Sequence, residues 1–112
     1  MKRTVNDSTD VLRGTLAMLI LRSVNLAPMH GFGITRRIEQ ISEGVFRVNP
    51  GSLLLAFQRM ERDGLIEAEW RPTEHNRRAK FYRITTKGRK RLEQEQRDWE
   101  RRSAAIARLL EA

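Results

Sequence analysis

Nine basic side chains crowd one short stretch of a 112-residue sequence: Arg71, Arg77, Arg78, Lys80, Arg83, Lys87, Arg89, Lys90 and Arg91, opposed there only by Glu74. That local excess equals the formal net charge of the whole chain, +8, so the remaining residues balance. A surface built only for solubility intersperses its signs. Positive charge concentrated in one segment is the electrostatic footprint of a polyanion, and guanidinium forks suit phosphate oxygens in particular.

Other chemistry is poorly supplied. The absence of cysteine excludes disulfides and thiolate metal sites. The two histidines, His30 and His75, are far apart, and no spacing of carboxylates completes a metal set around either. No nucleophile stands with a base and no carboxylates pair in an apolar setting, so neither an enzyme nor a cofactor is expected. Gly31 and Gly33 form a G-x-G, but no strand precedes them in the sequence pattern and no third glycine follows. They read as turn and helix-packing residues rather than a nucleotide loop. The longest apolar run, Leu16 to Leu21, is far short of the ~20 residues a membrane span requires. The opening "MKRTVNDSTD" lacks the apolar core and cleavage site of a secretory leader, so a cytoplasmic protein without membrane association is expected.

At this length the chain is one domain with a modest core, and its elements must position the basic segment. "VLRGTLAMLILRSVNLA" places Leu12, Leu16, Leu19 and Ile20 at helical spacing, with Ser8, Thr9 or Asp10 available as cap and Pro28 as the stop. "GFGITRRIEQIS" predicts a short amphipathic helix with Ile34, Ile38 and Ile41 inward. "VNPGSLLLAFQRMERDG" predicts a third helix, started either by an Asn49 cap with Pro50 in the first position or by a Ser52 cap, and stopped by Gly64. Leu53, Phe57 and Met60 form its inward stripe, while Gly51, Leu55, Gln58, Arg59 and Arg62 fall on the opposite face. Two short helices joined tightly, the second with a polar and basic outer face, make a helix-turn-helix.

The period then changes to two. "LIEAEWR" alternates Ile66, Ala68 and Trp70 against Glu67, Glu69 and Arg71, and "KFYRIT" supplies a second run around the turn formers "PTEHN". The product is a hairpin with Arg77, Arg78 and Lys80 near its tip, the wing of a winged helix, placed to reach phosphates or a minor groove beside the recognition helix. The last segment reads as one long helix from about Thr86. Leu92, Trp99 and Ile106 recur at sevens with Ser103 and Leu110 extending the seam, a stripe suited to a helix of a second chain. The expected architecture is mainly α with a small β-hairpin: a flexible arm over residues 1–10, a winged helix-turn-helix over 11–85, and a C-terminal dimerisation helix over 86–112.

"PMHGFGITRRIEQIS", "PGSLLLAFQRMERDGLIEAEW" and "NRRAKFYRITTKGRKRL" together resemble the PadR family of bacterial transcriptional regulators, in the same order and at the same spacing. The resemblance implies a homodimeric repressor of a pseudo-palindromic double-stranded DNA operator, with a small aromatic or drug-like effector as a further partner. On that reading Ser52, Leu54, Leu55, Gln58, Arg59 and Arg62 of the recognition helix and Asn76, Arg77, Arg78 and Lys80 of the wing meet DNA. Leu12, Leu16, Leu92, Trp99, Ser103, Ile106 and Leu110 form the dimer interface, and Trp70 or Trp99 could line an effector pocket. The family pattern at the start of the recognition helix ends in tyrosine and proline, which Leu54 and Leu55 replace. The alternative is therefore a winged-helix protein-interaction module that has traded DNA contact for a partner at an apolar patch. Single-stranded RNA binding is disfavoured for want of an aromatic stacking surface.

Overall fold

The computed structural model describes residues 14–112, which form four helices and a three-stranded antiparallel sheet. The arm over residues 1–10, the alternative caps Ser8, Thr9 and Asp10, and Leu12 lie outside the described residues. Helix α1 (Leu16–Leu26) buries Ile20, Leu21 and Val24. It ends ahead of Pro28, and Ala27 leaves it in the extended conformation.

Strand β1 (Met29–His30) follows, so a strand does precede Gly31 and Gly33, contrary to the sequence expectation. Two residues are too few to show an alternation; only pairing defines them. Helix α2 (Gly31–Ile41) starts immediately, with the His30 side chain as cap: Gly33 N–H donates to His30 Nδ1 at 3.1 Å. Ile34 and Ile38 are buried, but Ile41 is 66% exposed in the last turn and leaves the inward set.

Helix α3 (Pro50–Arg62) begins by the first of the two predicted routes. Gly51 N–H donates to Asn49 Oδ1 at 2.7 Å, and Pro50 occupies the first position, where its missing N–H costs no helical bond. Leu53, Phe57 and Met60 are buried as expected. Beyond Asp63, Gly64 turns the chain at φ +75, the left-handed region that glycine enters without a Cβ clash.

Strands β2 (Ile66–Pro72) and β3 (Arg78–Ile84) pair from Ile66↔Ile84 to Pro72↔Arg78, and β1 adds to the other edge of β3 through Met29↔Tyr82 and His30↔Phe81. The hairpin tip is closed by Thr73 N–H donating to Arg77 O at 2.7 Å and Asn76 N–H donating to Thr73 O at 3.1 Å. Asn76 sits at φ +57, a conformation asparagine tolerates better than most side-chain-bearing residues. Its place in the wing is thus that of a turn former.

Helix α4 (Thr86–Glu111) is clamped to the end of α3. Gly88 N–H donates to the Thr85 hydroxyl at 2.9 Å, and that hydroxyl lies 2.7 and 3.0 Å from the Gly64 and Leu65 carbonyl oxygens. Lys87 Nζ donates to Asp63 O at 2.7 Å, and Thr85 N–H donates to Leu65 O at 3.1 Å. Gly88 packs so closely that a Cβ would overlap the Leu65 carbonyl oxygen and come within 2.8 Å of Ile84 Cγ1. Leu92, one turn on, is buried in the same core as Ile20, Leu53, Ile66 and Tyr82. No helix among the described residues is long and apolar enough to cross a membrane.

Candidate nucleic-acid interface

Since Leu53, Phe57 and Met60 anchor α3 inward, its opposite face is presented to solvent. Leu55, Gln58, Arg59 and Arg62 are all exposed, Leu54 is half-exposed on the flank toward the wing, and Ser52 is half-buried in the first turn. Neither Arg59 nor Arg62 forms an ion pair among the described residues.

The hairpin sorts the basic segment. Near its base, Arg83 pairs with Glu67 across the two strands at 2.9 Å; near its tip, where it faces Ala79, Arg71 pairs with Glu69 at 3.0 Å while lying 5.3 Å from the centre of the Phe81 ring. Lys80 reaches across to α3, 3.1 Å from Glu61 Oε1, and lies 5.6 Å from the centre of the Tyr82 ring. Burial raises the Tyr82 hydroxyl above its ordinary value of 10.0, with Lys80 opposing and Glu61 reinforcing. At the tip, Arg77 and Arg78 are exposed and unpaired among the described residues. With Arg83, Arg71 and Lys80 each paired to a carboxylate, Arg77 and Arg78 are the wing's arginines left without an ion pair among the described residues. Lys80 is therefore not the free phosphate ligand that the sequence expectation grouped with the two arginines; an exposed pair of this kind holds by less than about 1 kcal/mol, so phosphate can compete for it.

Between α3 and the wing runs an open groove of about 740 Å³, walled by Phe32, Leu54, Phe57, Trp70 and Tyr82 and rimmed by Arg77 and Arg78. The N-termini of α2 and α3 open onto it through Gly31 and Gly51, adding the positive ends of two helix dipoles to the arginine charge. Trp70 is 57% exposed on this groove. The strand alternation placed it inward with Ile66 and Ala68, but β2 extends past the edge of the core, where no element among the described residues covers that face. Phe32, 68% exposed at the start of α2, had no periodic signal in the sequence. The two rings give this surface the exposed aromatic faces that the sequence did not reveal.

The long helix presents a second surface. Trp99, Ile106 and Leu110 are 46%, 52% and 82% exposed, Leu109 joins them, and Ser103 is half-buried. Leu16 of α1 packs partly buried against the core. Leu92 departs from this seam, being 3% exposed in the chain's own core. Trp99, with Met18, Glu95, Asp98 and Arg102, lines a pocket of about 150 Å³, below the size that encloses a drug-like ligand. No cluster of three His, Asp or Glu side chains suited to a metal occurs among the described residues.

Residues 20–94, from α1 through the first turns of α4, match the model of the transcriptional regulator PadR-like family. The chain belongs to that family. All three segments that carry the sequence resemblance lie inside the matched span. This PadR-like chain is 30% identical over 91 residues to an uncharacterised protein from Lysinibacillus sphaericus, covering 81% of this chain and 84% of that protein. Its fold superposes on a PadR-like transcriptional regulator from Bacillus cereus with a TM-score of 0.80, at 25% identity over 92% of this chain and 98% of that one. A transcriptional regulator from Clostridium thermocellum gives 0.81, at 29% identity over 90% and 95% of the two chains. PadR-like proteins are transcriptional regulators rather than enzymes.

Proposed function

We propose that this PadR-like regulator binds double-stranded DNA as a homodimer and acts as a repressor in the cytoplasm. The observation that carries the reading is a set of exposed donors without ion pairs among the described residues: α3 offers Gln58, Arg59 and Arg62, and the wing tip offers Arg77 and Arg78. A recognition helix in the major groove brings glutamine and arginine to base edges, while tip arginines take flanking phosphates, positioning the helix without reading sequence. The wing-facing flank of α3 and the groove beside it leave room for the sugar–phosphate strand between the two contacts.

Dimerisation through α4 is supported by the exposed apolar run Trp99, Ile106, Leu109 and Leu110 on a helix otherwise covered in charge. Two copies joined this way present two recognition helices, which suits an inverted repeat with half-sites about one helical turn apart. Selection of bound duplexes from a random pool is expected to recover such a repeat, and sedimentation is expected to give a dimer at micromolar concentration. Failure to retain any duplex at low salt refutes the DNA-binding reading. A monomer at that concentration refutes the arrangement through α4.

A further inference from the structure

The outward face of α3 holds one residue whose chemistry differs from its neighbours. Gln58, Arg59 and Arg62 can donate hydrogen bonds and Gly51 carries no side chain, but Leu55 places an isobutyl group among them, 67% exposed. It lies in the N-terminal half of the helix, four residues before Arg59 and so one turn from it on the same side. Leu53 already fills the core position of that turn at 0% exposure, which leaves Leu55 without a packing role in the chain. Leu54 differs in direction, turned to the groove beside the wing.

In the major groove the four base pairs display hydrogen-bonding edges and one apolar group, the C5-methyl of thymine. A leucine held against guanine O6 or cytosine N4 would desolvate those atoms without replacing their hydrogen bonds. Against thymine it buries apolar surface on both sides and strips no polar atom. Resting on the reading of α3 as a recognition helix, we infer that Leu55 is a specificity-determining residue that reads a thymine methyl in each half-site, adjacent to the base addressed by Arg59.

The experiment compares the duplex selected by the wild-type chain in two syntheses, one with thymine and one with uracil at the half-site positions, which differ only in that methyl. The wild type is expected to bind the thymine duplex about three- to fivefold more tightly for each methyl buried, the factor that burial of one such group produces. Leu55→Ala is expected to bind both duplexes alike, at about the wild-type affinity for uracil. Leu54→Ala is expected to keep the full thymine preference. Any change in duplex shape caused by uracil acts on all three proteins, so only a methyl contact gives this pattern. Equal wild-type affinity for the two duplexes overturns the inference while leaving DNA binding intact. Loss of the preference in Leu54→Ala, or its survival in Leu55→Ala, assigns the reading elsewhere and also overturns it. No binding to either duplex instead removes the DNA-binding reading on which it rests.

Discussion

Replacing Arg77 and Arg78 with alanine probes the sorting of charge along the wing. Both are exposed at the tip and unpaired among the described residues, so their removal disturbs no ion pair there and leaves Asn76 to hold the turn. In a dimer the double variant lacks four cations. Each neutralised phosphate contributes about 0.9 to the slope of log affinity against log salt, so the slope is expected to become shallower by about 3.6. Between about 50 and about 200 mM salt the variant therefore loses roughly 150-fold less affinity than the wild type, with selected and random duplexes weakened by similar factors. Fluorescence anisotropy over a salt series with both duplexes gives the two slopes directly. The tether between Lys80 and Glu61 supplies an opposite perturbation: Glu61→Gln frees an ammonium and removes a carboxylate beside the proposed DNA face, so binding tightens and the slope steepens. An unchanged slope in the arginine variant, with loss confined to the selected duplex, would mean that the tip reads bases and would refute the division of labour between helix and wing.

Leu54→Tyr restores a hydroxyl at the half-exposed flank facing the wing and is expected to tighten DNA binding about two- to tenfold, one added hydrogen bond to a phosphate; weaker binding by a folded variant would identify the leucine as the productive contact and reopen the interaction-module alternative. Trp99→Ala, at a residue 46% exposed in the single chain, is expected to leave the melting of the monomeric fold nearly unchanged while weakening the dimer by about 2 kcal/mol or more per protomer, read by sedimentation over a concentration series. Gly88→Ala forces a methyl into the Leu65 carbonyl and is expected to cost about 3 kcal/mol, a melting temperature lower by roughly 10–20 °C. Tyr82 has its folded-state pKa raised chiefly by burial, so the unfolded chain ionises first: its contribution is fully present below pH 10.0 and is lost as pH rises through the higher folded value. Denaturant titrations of wild type and Tyr82→Phe are expected to show a smaller alkaline loss in the variant.

Features set by neighbours in sequence were legible. The Leu53–Phe57–Met60 stripe, the Gly64 stop, the hairpin and the start of α4 each follow from a local period or cap, and each formed where that signal placed it. Asn49 and Ser52 were equivalent as caps in the sequence because both offer a short side-chain oxygen ahead of an apolar run. The Asn49 route adds proline at a position where no helical donor is lost, and that is the route taken. The misplacements share another cause: they depend on where the core ends. Ile41 and Trp70 continue inward patterns past its edges and emerge into solvent, whereas Leu92, assigned to an external seam by its spacing from Trp99, is reached by the core and enclosed. Partners distant in sequence were equally invisible. Lys80 finds Glu61 nineteen positions earlier only after the hairpin folds against α3, and β1 exists only because β3 has an edge to accept it.

The seat of Gly88 against Leu65, with Thr85 and Lys87 bonded to the carbonyl groups of Asp63, Gly64 and Leu65, ties the start of α4 to the turn that follows α3. In a dimer held by the far half of α4, the distance and phase between the two DNA-facing surfaces are then fixed by helix geometry instead of by a hinge. One extra residue inserted between Leu92 and Trp99 turns the distal seam by about 100° and lengthens the shaft by about 1.5 Å. Such an insertion would leave each half able to grip a single half-site, yet aim the pair at a repeat of different spacing, making the length of this segment a dial for operator geometry.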